Sequence, residues 1–390
     1  MSSVDHFQLG PTLLELRGDV RVATKIRNEL KDAAVTIPER PADLSLEIGN
    51  EPVPFGPATA SHSGRRFPYS YETVLRERGV TFSFAGRFGR PLYTINLAGS
   101  PLAPGPQRGH LGVALADVGL LTRVLSPLTR ALTRDFSTPT DIVAKNLLYE
   151  AVDPLVWCSL LTQDASFVHA GAVATPDGQG VLLMGTGGVG KTTTVLDLVL
   201  SGRWRYLGDD LVIVSPDGLN RHPKHLQLYA YNSVLVPGVQ ERILRRRTRT
   251  DRFLWNARLR SLGPRQVRRR TAASTFFGRD AVAEAADLTA AVKLTTALGT
   301  SGIEVTDADP ARLARQAASV ICDEFWDFTR FLNSVATLTS EAPTLGELQA
   351  RVAATIERAL PTEGCYEVGV PPGTPGAEIS AALNSRLPLD

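Results

Sequence analysis

The residue types best suited to chemistry lie between residues 166 and 214 of this chain of 390 residues. The segment GTGGVGKTTT, residues 185–194, combines closely spaced glycines with a lysine and threonines. His169 precedes this segment, and an adjacent acidic pair, Asp209 and Asp210, follows it. Glycine amides and a lysine suit phosphate groups, whereas carboxylates and a histidine suit metal binding and proton transfer. Together they predict a nucleotide site and leave open whether its phosphate is hydrolysed or transferred.

The glycine-rich segment has the spacing of a phosphate-binding loop. The apolar run VLLMG before it predicts a buried strand, and KTTTVLDLVLSG after it predicts a helix that ends at Gly202. In such a loop the backbone amides and the helix amino terminus bind phosphate oxygens, the lysine reaches the β- and γ-phosphates, and the threonine binds Mg²⁺. A chance glycine-rich turn would lack these flanking elements. The predicted nucleotide-binding residues are Gly185, Thr186, Gly187, Gly188, Val189, Gly190, Lys191, Thr192 and Thr193.

The loop also resembles the KGGVGKTT loop of partitioning-type ATPases. Those proteins carry a second lysine early in the loop, where this chain has Thr186. Their loop usually opens the protein, whereas this one begins at residue 185. Both differences disfavour that interpretation.

The acidic pair is expected at the start of the strand LVIVS, next to the phosphate-binding loop. One carboxylate could then hold the metal, and the other could accept a proton from a hydroxyl that attacks the γ-phosphate. An ATPase needs only the first of these functions, whereas a kinase benefits from both. The alternative is a solvated pair at a strand end, because aspartate often caps such turns.

His169 lies within SFVHAGAVAT, which predicts one strand, followed by the turn PDGQG. A lone histidine in an apolar strand is more often a structural residue than a functional one. The predicted hairpin leads directly into the phosphate-binding loop, and this connection favours a position near the site.

The segment FVHAGAVATPDGQGVLLMGTGGVGKTTTVLDLVLSGRWRYLGDDLVIV resembles the catalytic domain of bacterial HPr kinase/phosphorylase and its HPr-kinase-like relatives. The resemblance is specific over residues 166–214 and does not cover residues 1–135. It implies a phosphoenolpyruvate-carboxykinase-like α/β core. The HPr-kinase-like relatives include kinases that act on peptides in biosynthetic clusters. The resemblance further implies ATP and Mg²⁺ as cofactors, Asp210 as general base, Asp209 and Thr192 around the metal, and His169 in support of the acidic pair.

One expected feature of that family is missing. The bifunctional enzymes carry a glutamate in a Glu-Ile-Arg-Gly-like signature after the acidic pair, but here no acidic residue occurs from Gly218 to Gln240. A metal-facing carboxylate is therefore absent from the expected place, which disfavours the reverse, phosphorylase reaction. The same stretch contains Lys224 and His225, which could approach the phosphates.

The charge of the chain is concentrated in one place. Residues 241–271, here called the arginine segment, contain twelve arginines and two acids, Glu241 and Asp251. Because the whole chain has a net charge of +2, the residues outside this segment carry a net charge of about −8. The segment could be a solvated or disordered basic surface, or a substrate loop that binds phosphates or an acidic peptide. A nucleic-acid patch, with Phe253 and Trp255 as stacking faces, is the least favoured of the three.

The predicted fold class is α/β: a P-loop-containing, HPr-kinase-like domain over residues 150–390 behind an α+β accessory domain over residues 1–135. In the accessory domain, LSLEI and a hairpin at 80–98 predict strands, and a helix is expected around 113–134; a second helix is expected after it, around 139–162. Later elements are predicted as the strands AAVKLTTAL and CYEVGV and the helices 309–324, 346–360 and 375–387.

The composition predicts a globular chain, with 43% hydrophobic and 21% charged residues. No apolar run is long enough to span a membrane, the amino terminus lacks the pattern of a signal peptide, and three widely spaced cysteines favour a reducing cytoplasm. Enzymes of the family are often homo-oligomers, although no interface can be identified in this sequence.

The expected function is a kinase that transfers the γ-phosphate to a hydroxyl, foremost a Ser or Thr of a protein or peptide. A small-molecule hydroxyl kinase and a nucleotide-hydrolysing regulatory switch remain alternatives. The identity of the acceptor stays open, as does GTP or pyrophosphate as the donor.

Overall fold

The computed structural model describes residues 4–51, 56–66, 69–86, 92–114, 137–245, 247–300, 302–340 and 342–387. The chain divides into two compact units, both discontinuous in sequence. Unit 1 comprises residues 1–130, 137–165 and 322–352, and unit 2 comprises residues 131–136, 166–321 and 353–390. The domain ranges derived from the sequence, 1–135 and 150–390, stay a prediction.

Unit 1 is built on a mixed sheet of nine strands among the described residues, in the order β3-β1-β2-β4-β9-β8-β7-β6-β5. The predicted strand LSLEI is β4, and the predicted hairpin is β7 and β8, which pair antiparallel with Val80 opposite Leu97. No element is predicted for the first forty residues, but those that the structure describes, from Val4 onward, form three strands and a helix. The strands are β1 Val4–Leu9, β2 Thr12–Arg17, β3 Ala34–Val35, β4 Leu44–Gly49, β5 Ala58–Arg66, β6 Tyr69–Arg76, β7 Gly79–Gly86, β8 Leu92–Leu97 and β9 Gln107–Ala114.

The predicted helix 139–162 is present as two helices joined by a π-helical turn, Leu148–Val152. The predicted helix at 113–134 begins within β9, and its residues from 115 onward lie outside the described residues. No helix of the described part of the chain is long and apolar enough to cross a membrane. The helices are α1 Arg21–Leu30, α2 Pro139–Leu147, α3 Asp153–Leu161, α4 Lys191–Leu200, α5 Asn232–Leu235, α6 Val239–Leu244, α7 Arg249–Leu262, α8 Ala273–Phe277, α9 Pro310–Glu324, α10 Trp326–Leu338, α11 Leu345–Ala359 and α12 Gly376–Asn384.

Unit 2 also contains a large mixed sheet, so the chain belongs to the mixed α/β class. Its strands follow the order β10-β14-β15-β18-β12-β11-β13, with β20 beside β18 and β19 beside β20. Strands β16 and β17 form a separate antiparallel ribbon. The strands are β10 Ser166–Val168, β11 Ala170–Ala174, β12 Gln179–Met184, β13 Arg205–Gly208, β14 Val212–Ser215, β15 Gly218–Arg221, β16 Leu226–Tyr229, β17 Arg268–Thr271, β18 Ala285–Thr296, β19 Glu304–Asp307 and β20 Cys365–Val370.

Two details of unit 2 differ from the sequence prediction. The run 166–175 is not one strand, because the chain breaks at His169 into β10, which pairs with β14, and β11, which pairs with β12 and β13. The acidic pair does not start a strand either. Asp209 and Asp210 lie in the turn between β13 and β14, so their orientation is fixed by the turn and not by strand alternation.

The central strand β12 is apolar on both faces because both faces are covered. Val181, Leu182 and Leu183 are fully buried, as expected for a strand with parallel and antiparallel neighbours inside a sheet. Helix α4 buries Val195 and Leu196 in the same core. Burial of each such side chain contributes about 1.5–3 kcal/mol. This packing fixes the end of β12 and the start of α4, and therefore the loop between them.

Candidate active site

Three separate segments meet at one edge of the unit 2 sheet. Strand β11 is antiparallel to both β12 and β13, so its amino end lies beside the carboxyl ends of its two neighbours. The glycine-rich loop follows β12, His169 precedes β11, and Asp209 follows β13 directly. Sheet topology thus brings together the groups that the sequence analysis selected.

The backbone of the glycine-rich loop requires glycine at several positions. Gly185, Gly188 and Gly190 have φ values of +143°, +87° and +104°, in the range that side chains disfavour. A Cβ atom at Gly185 would lie 2.6 Å from the carbonyl oxygen of Leu294. At Gly187 and Gly188 no heavy atom lies within 4 Å of such a Cβ position. The loop is therefore tightly packed at its base and open at its tip, as a backbone cradle for phosphate oxygens must be.

Lys191 closes this loop. Its ammonium group donates hydrogen bonds to the carbonyl oxygens of Gly185, at 2.6 Å, and Thr186, at 2.9 Å. The side chain is buried although it is charged, and the two carbonyl groups replace part of its lost hydration. The hydroxyl of Thr193 donates to the carbonyl oxygen of Gly190 at 2.7 Å and ties the loop to α4. A buried cation is thus held against the first residues of the loop, where it could neutralise phosphate charge.

Thr192 and Asp209 form an oxygen cluster beside the loop. The threonine hydroxyl lies 3.1 Å from both carboxylate oxygens and donates to them. Burial, followed by the charge of Asp210, raises the pKa of Asp209 to about 7, although Lys191 and the Thr192 hydrogen bond act in the opposite direction. A hydroxyl and a carboxylate are hard oxygen donors of the kind that Mg²⁺ prefers. A carboxylate destabilised by burial also gains from a nearby cation, so this pair fits a magnesium ion.

Asp210 is held in an unusual backbone conformation. Its φ is +81°, in the left-handed region that costs a residue with a side chain about 1–2 kcal/mol. Lys224 donates a hydrogen bond to its Oδ2 atom at 3.3 Å, and Nδ1 of His169 lies 3.8 Å from its Oδ1 atom. Strained backbone is often found at functional sites. The carboxylate of Asp210 is therefore directed by the turn and flanked by two basic side chains.

His169 is neutral at physiological pH in this environment. Burial lowers its pKa to about 4, and the positive charges of Lys191 and Lys224 act in the same direction, whereas Asp210 opposes them. The pKa shift explains how an imidazole can lie among two ammonium groups without adding a third positive charge. A neutral imidazole can still exchange a hydrogen bond with the acidic pair.

Lys224 was only weakly indicated by the sequence, as a residue near the phosphates. The structure places its ammonium against Asp210, and the side chain is only 3% exposed. The sequence signal was the basic stretch HPKHL that leads into β16, but residue spacing gives no means of choosing the partner of its lysine. The role of His225, which is half-buried next to it, stays a prediction.

The arginine segment is largely regular structure. Its described residues include the end of α6, the whole of α7 and β17, so a disordered segment is the wrong interpretation for them. Trp255 is fully buried and cannot offer the stacking face that the sequence suggested, whereas Phe253 is 71% exposed. The buried guanidinium of Arg269 lies 3.3 Å from Asp251, which ties β17 to α7.

No protein-family model matches the chain, and a search of curated proteins found no matching sequence.

Proposed function

We propose that the chain is an ATP- and Mg²⁺-dependent kinase with an HPr-kinase-like catalytic core, which transfers the γ-phosphate to a Ser or Thr hydroxyl of a protein or peptide. The observation that supports this proposal is the convergence of the glycine-rich loop, the Thr192–Asp209 oxygen pair and the Asp210 carboxylate at one sheet edge. A hydrolase needs only the first two of these features. The third gives the site a second, differently placed carboxylate.

The proposed binding step depends on the loop and Lys191. Loop amides and the amino terminus of α4 would bind the phosphate oxygens, and the Lys191 ammonium would neutralise their charge after exchanging its hydrogen bonds to Gly185 and Thr186. Thr192 and Asp209 would hold Mg²⁺, which supplies further neutralisation of phosphate charge when bound. Such catalysis is chiefly positioning and charge stabilisation.

The proposed proton acceptor is Asp210. As the acceptor oxygen forms its bond to the γ-phosphorus, the bond from that phosphorus to the bridging oxygen breaks, ADP departs, and the hydroxyl proton moves to a carboxylate oxygen of Asp210. Lys224 and His169 would orient this carboxylate from two sides. Because the neutral His169 adds no charge, Asp210 would remain able to accept the proton.

The test follows the γ-phosphate. Incubation with γ-labelled ATP and a lysate of the source cells, followed by separation by size, should show label in macromolecules. Label in small solutes would favour a small-molecule kinase, and release of free phosphate alone would favour the regulatory switch. Asp210→Asn should keep ATP binding and lose transfer, and retained transfer would exclude Asp210 as the base.

A further inference from the structure

Helix α7 in the arginine segment has two contrasting faces. Trp255 and Arg258 are buried, whereas the opposite side carries exposed residues at helical spacing. Among these exposed residues, three arginines, one phenylalanine and one asparagine lie within a narrow arc of the helix. We call this set the basic face of α7: Arg249, Arg252, Phe253, Asn256 and Arg260.

The residues of the basic face destabilise the helix that carries them. Arg249 and Arg252 lie in the first turns of α7, where the positive end of the helix dipole disfavours cations. They are also three residues apart, so that their like charges repel each other. Phe253, which is 71% exposed, adds apolar surface to the same side. A sequence that breaks local rules in this way without gain in the folded chain indicates a function.

The basic face is linked to the candidate active site through a short, ordered path. Arg269 of β17 is paired with Asp251 of α7, and β17 pairs with β16 over four residues. Strand β16 begins two residues after Lys224, the residue that contacts Asp210. The charge of Asp209 also contributes to a raised pKa of Tyr231, just beyond β16, after the larger effects of burial and Tyr229. The basic face of α7 is therefore connected to the acidic pair through the β16–β17 ribbon and Lys224.

Two observations disfavour nucleic acid as the occupant. Single-stranded nucleic acid needs successive stacking platforms, but Trp255 is buried and leaves Phe253 as the aromatic residue on this face. The chain outside the arginine segment is about −8 in charge, which repels a long phosphate backbone. A short acidic polypeptide with an apolar side chain matches both the arginines and the phenylalanine.

We infer that the basic face of α7 docks an acidic segment of the protein or peptide acceptor, with an apolar side chain of that segment against Phe253. This inference rests on the proposed kinase function and names the chemistry of its acceptor. Guanidinium groups form paired hydrogen bonds with carboxylates, and exposed arginine and aromatic residues are common at the centres of interfaces.

The test uses direct binding to the full chain. The probe is a fluorescent peptide of Glu-Glu-Leu repeats with one central serine, compared with versions that carry Gln for Glu or Ala for Leu, and with an oligothymidylate of equal length. The acidic peptide should bind at least about tenfold more tightly than the Gln peptide, and added salt should weaken this binding.

Variants locate the site. Combined Arg249→Glu, Arg252→Glu and Arg260→Glu should weaken binding of the acidic peptide by about tenfold or more, and Phe253→Ser should weaken only the Leu-containing peptide. A matched control reverses three exposed arginines elsewhere in unit 2 and should leave binding unchanged: Arg203, Arg279 and Arg386. Thermal unfolding of every variant identifies folding defects. If the triple arginine variant does not fold, the comparison of the two peptides with Phe253→Ser decides.

Three results would overturn the inference: equal binding of the acidic and Gln peptides, unchanged binding by the triple variant, or tighter binding of oligothymidylate than of the acidic peptide. ATP binding is measured separately on the same proteins. If the unmodified chain does not bind ATP, the proposed kinase is refuted and the docking result stands. If it binds ATP but does not prefer the acidic peptide, the docking site alone is refuted.

Discussion

Replacement of Asp210 by glycine and by alanine separates the free-energy cost of its left-handed backbone from the contribution of its carboxylate to phosphoryl transfer. The residue has a φ of +81°, where glycine is unstrained and alanine is not. Asp210→Gly and Asp210→Ala both remove the carboxylate and its 3.3 Å contact with Lys224. The two variants therefore differ chiefly in backbone strain and in the freedom of the unfolded chain.

The expected difference between these variants follows from two opposing effects. Relief of the left-handed conformation stabilises the glycine variant by about 1–2 kcal/mol relative to alanine. The greater freedom of glycine in the unfolded chain offsets about 0.5–1 kcal/mol of this gain. The free energy of unfolding of Asp210→Gly should thus be about 1 kcal/mol higher than that of Asp210→Ala.

Urea unfolding of the nucleotide-free protein at neutral pH measures this difference, with an unchanged dependence on denaturant as the control for a common mechanism. Phosphoryl transfer should be lost in both variants, because neither has a proton acceptor at this position. An alanine variant as stable as the glycine variant would refute the backbone reasoning, and transfer by either variant would refute the role of the carboxylate.

Three further predictions concern the loop, the metal ligands and pH. Thr192→Val should lose Mg²⁺-dependent ATP binding and Thr192→Ser should keep it, because only serine retains the hydroxyl 3.1 Å from Asp209; calorimetry with both variants decides, and equal loss would contradict the ligand role. Gly185→Ala should destabilise unit 2 and abolish ATP binding, since its Cβ would lie 2.6 Å from the Leu294 carbonyl oxygen; an unchanged melting temperature would argue against this packing. In unit 1, burial raises the pKa of Asp141, but hydrogen bonds from Lys25 and Thr138 lower it by more, to below the ordinary 3.8. The stability from these contacts is present above pH 3.8 and lost as the pH falls through the folded pKa, so the difference between the wild type and Asp141→Asn should shrink in acid; a constant difference would refute this linkage.

The sequence predicts those parts of the site that depend on local spacing. An apolar run, a glycine-rich turn and a helix specify their own order, so the loop and Lys191 are where the pattern indicates. The acidic pair was placed near the loop because it was expected to start the next strand, beside the strand that leads into the loop. Its turn geometry was not predictable, because strand β13 is stabilised by pairing with β11 some thirty residues earlier in the chain.

Strand pairing accounts for what the sequence analysis missed. Lys224 meets Asp210 because β14 and β15 pair antiparallel with Val212 opposite Arg221, which brings the residues just before β14 close to those just after β15. The burial of Trp255 was not predicted because arginines surround it in the sequence. The helical spacing of Trp255 and Arg258 could nevertheless have indicated a buried face of α7. In unit 1, α1 has the helical spacing of buried residues Val22, Ala23, Ile26 and Leu30, a pattern that a closer search for periodicity could find.

The most direct test of the proposed site is calorimetric titration with ATP, with Mg²⁺ or with excess chelator, of the wild type, Lys191→Ala and Asp209→Asn. The wild type should bind ATP more tightly with Mg²⁺, Lys191→Ala should bind under neither condition, and Asp209→Asn should lose the Mg²⁺-dependent part alone. An Asp209→Asn protein with the full response to Mg²⁺, or a Lys191→Ala protein that binds ATP normally, would contradict the assignment of this sheet edge as a nucleotide site.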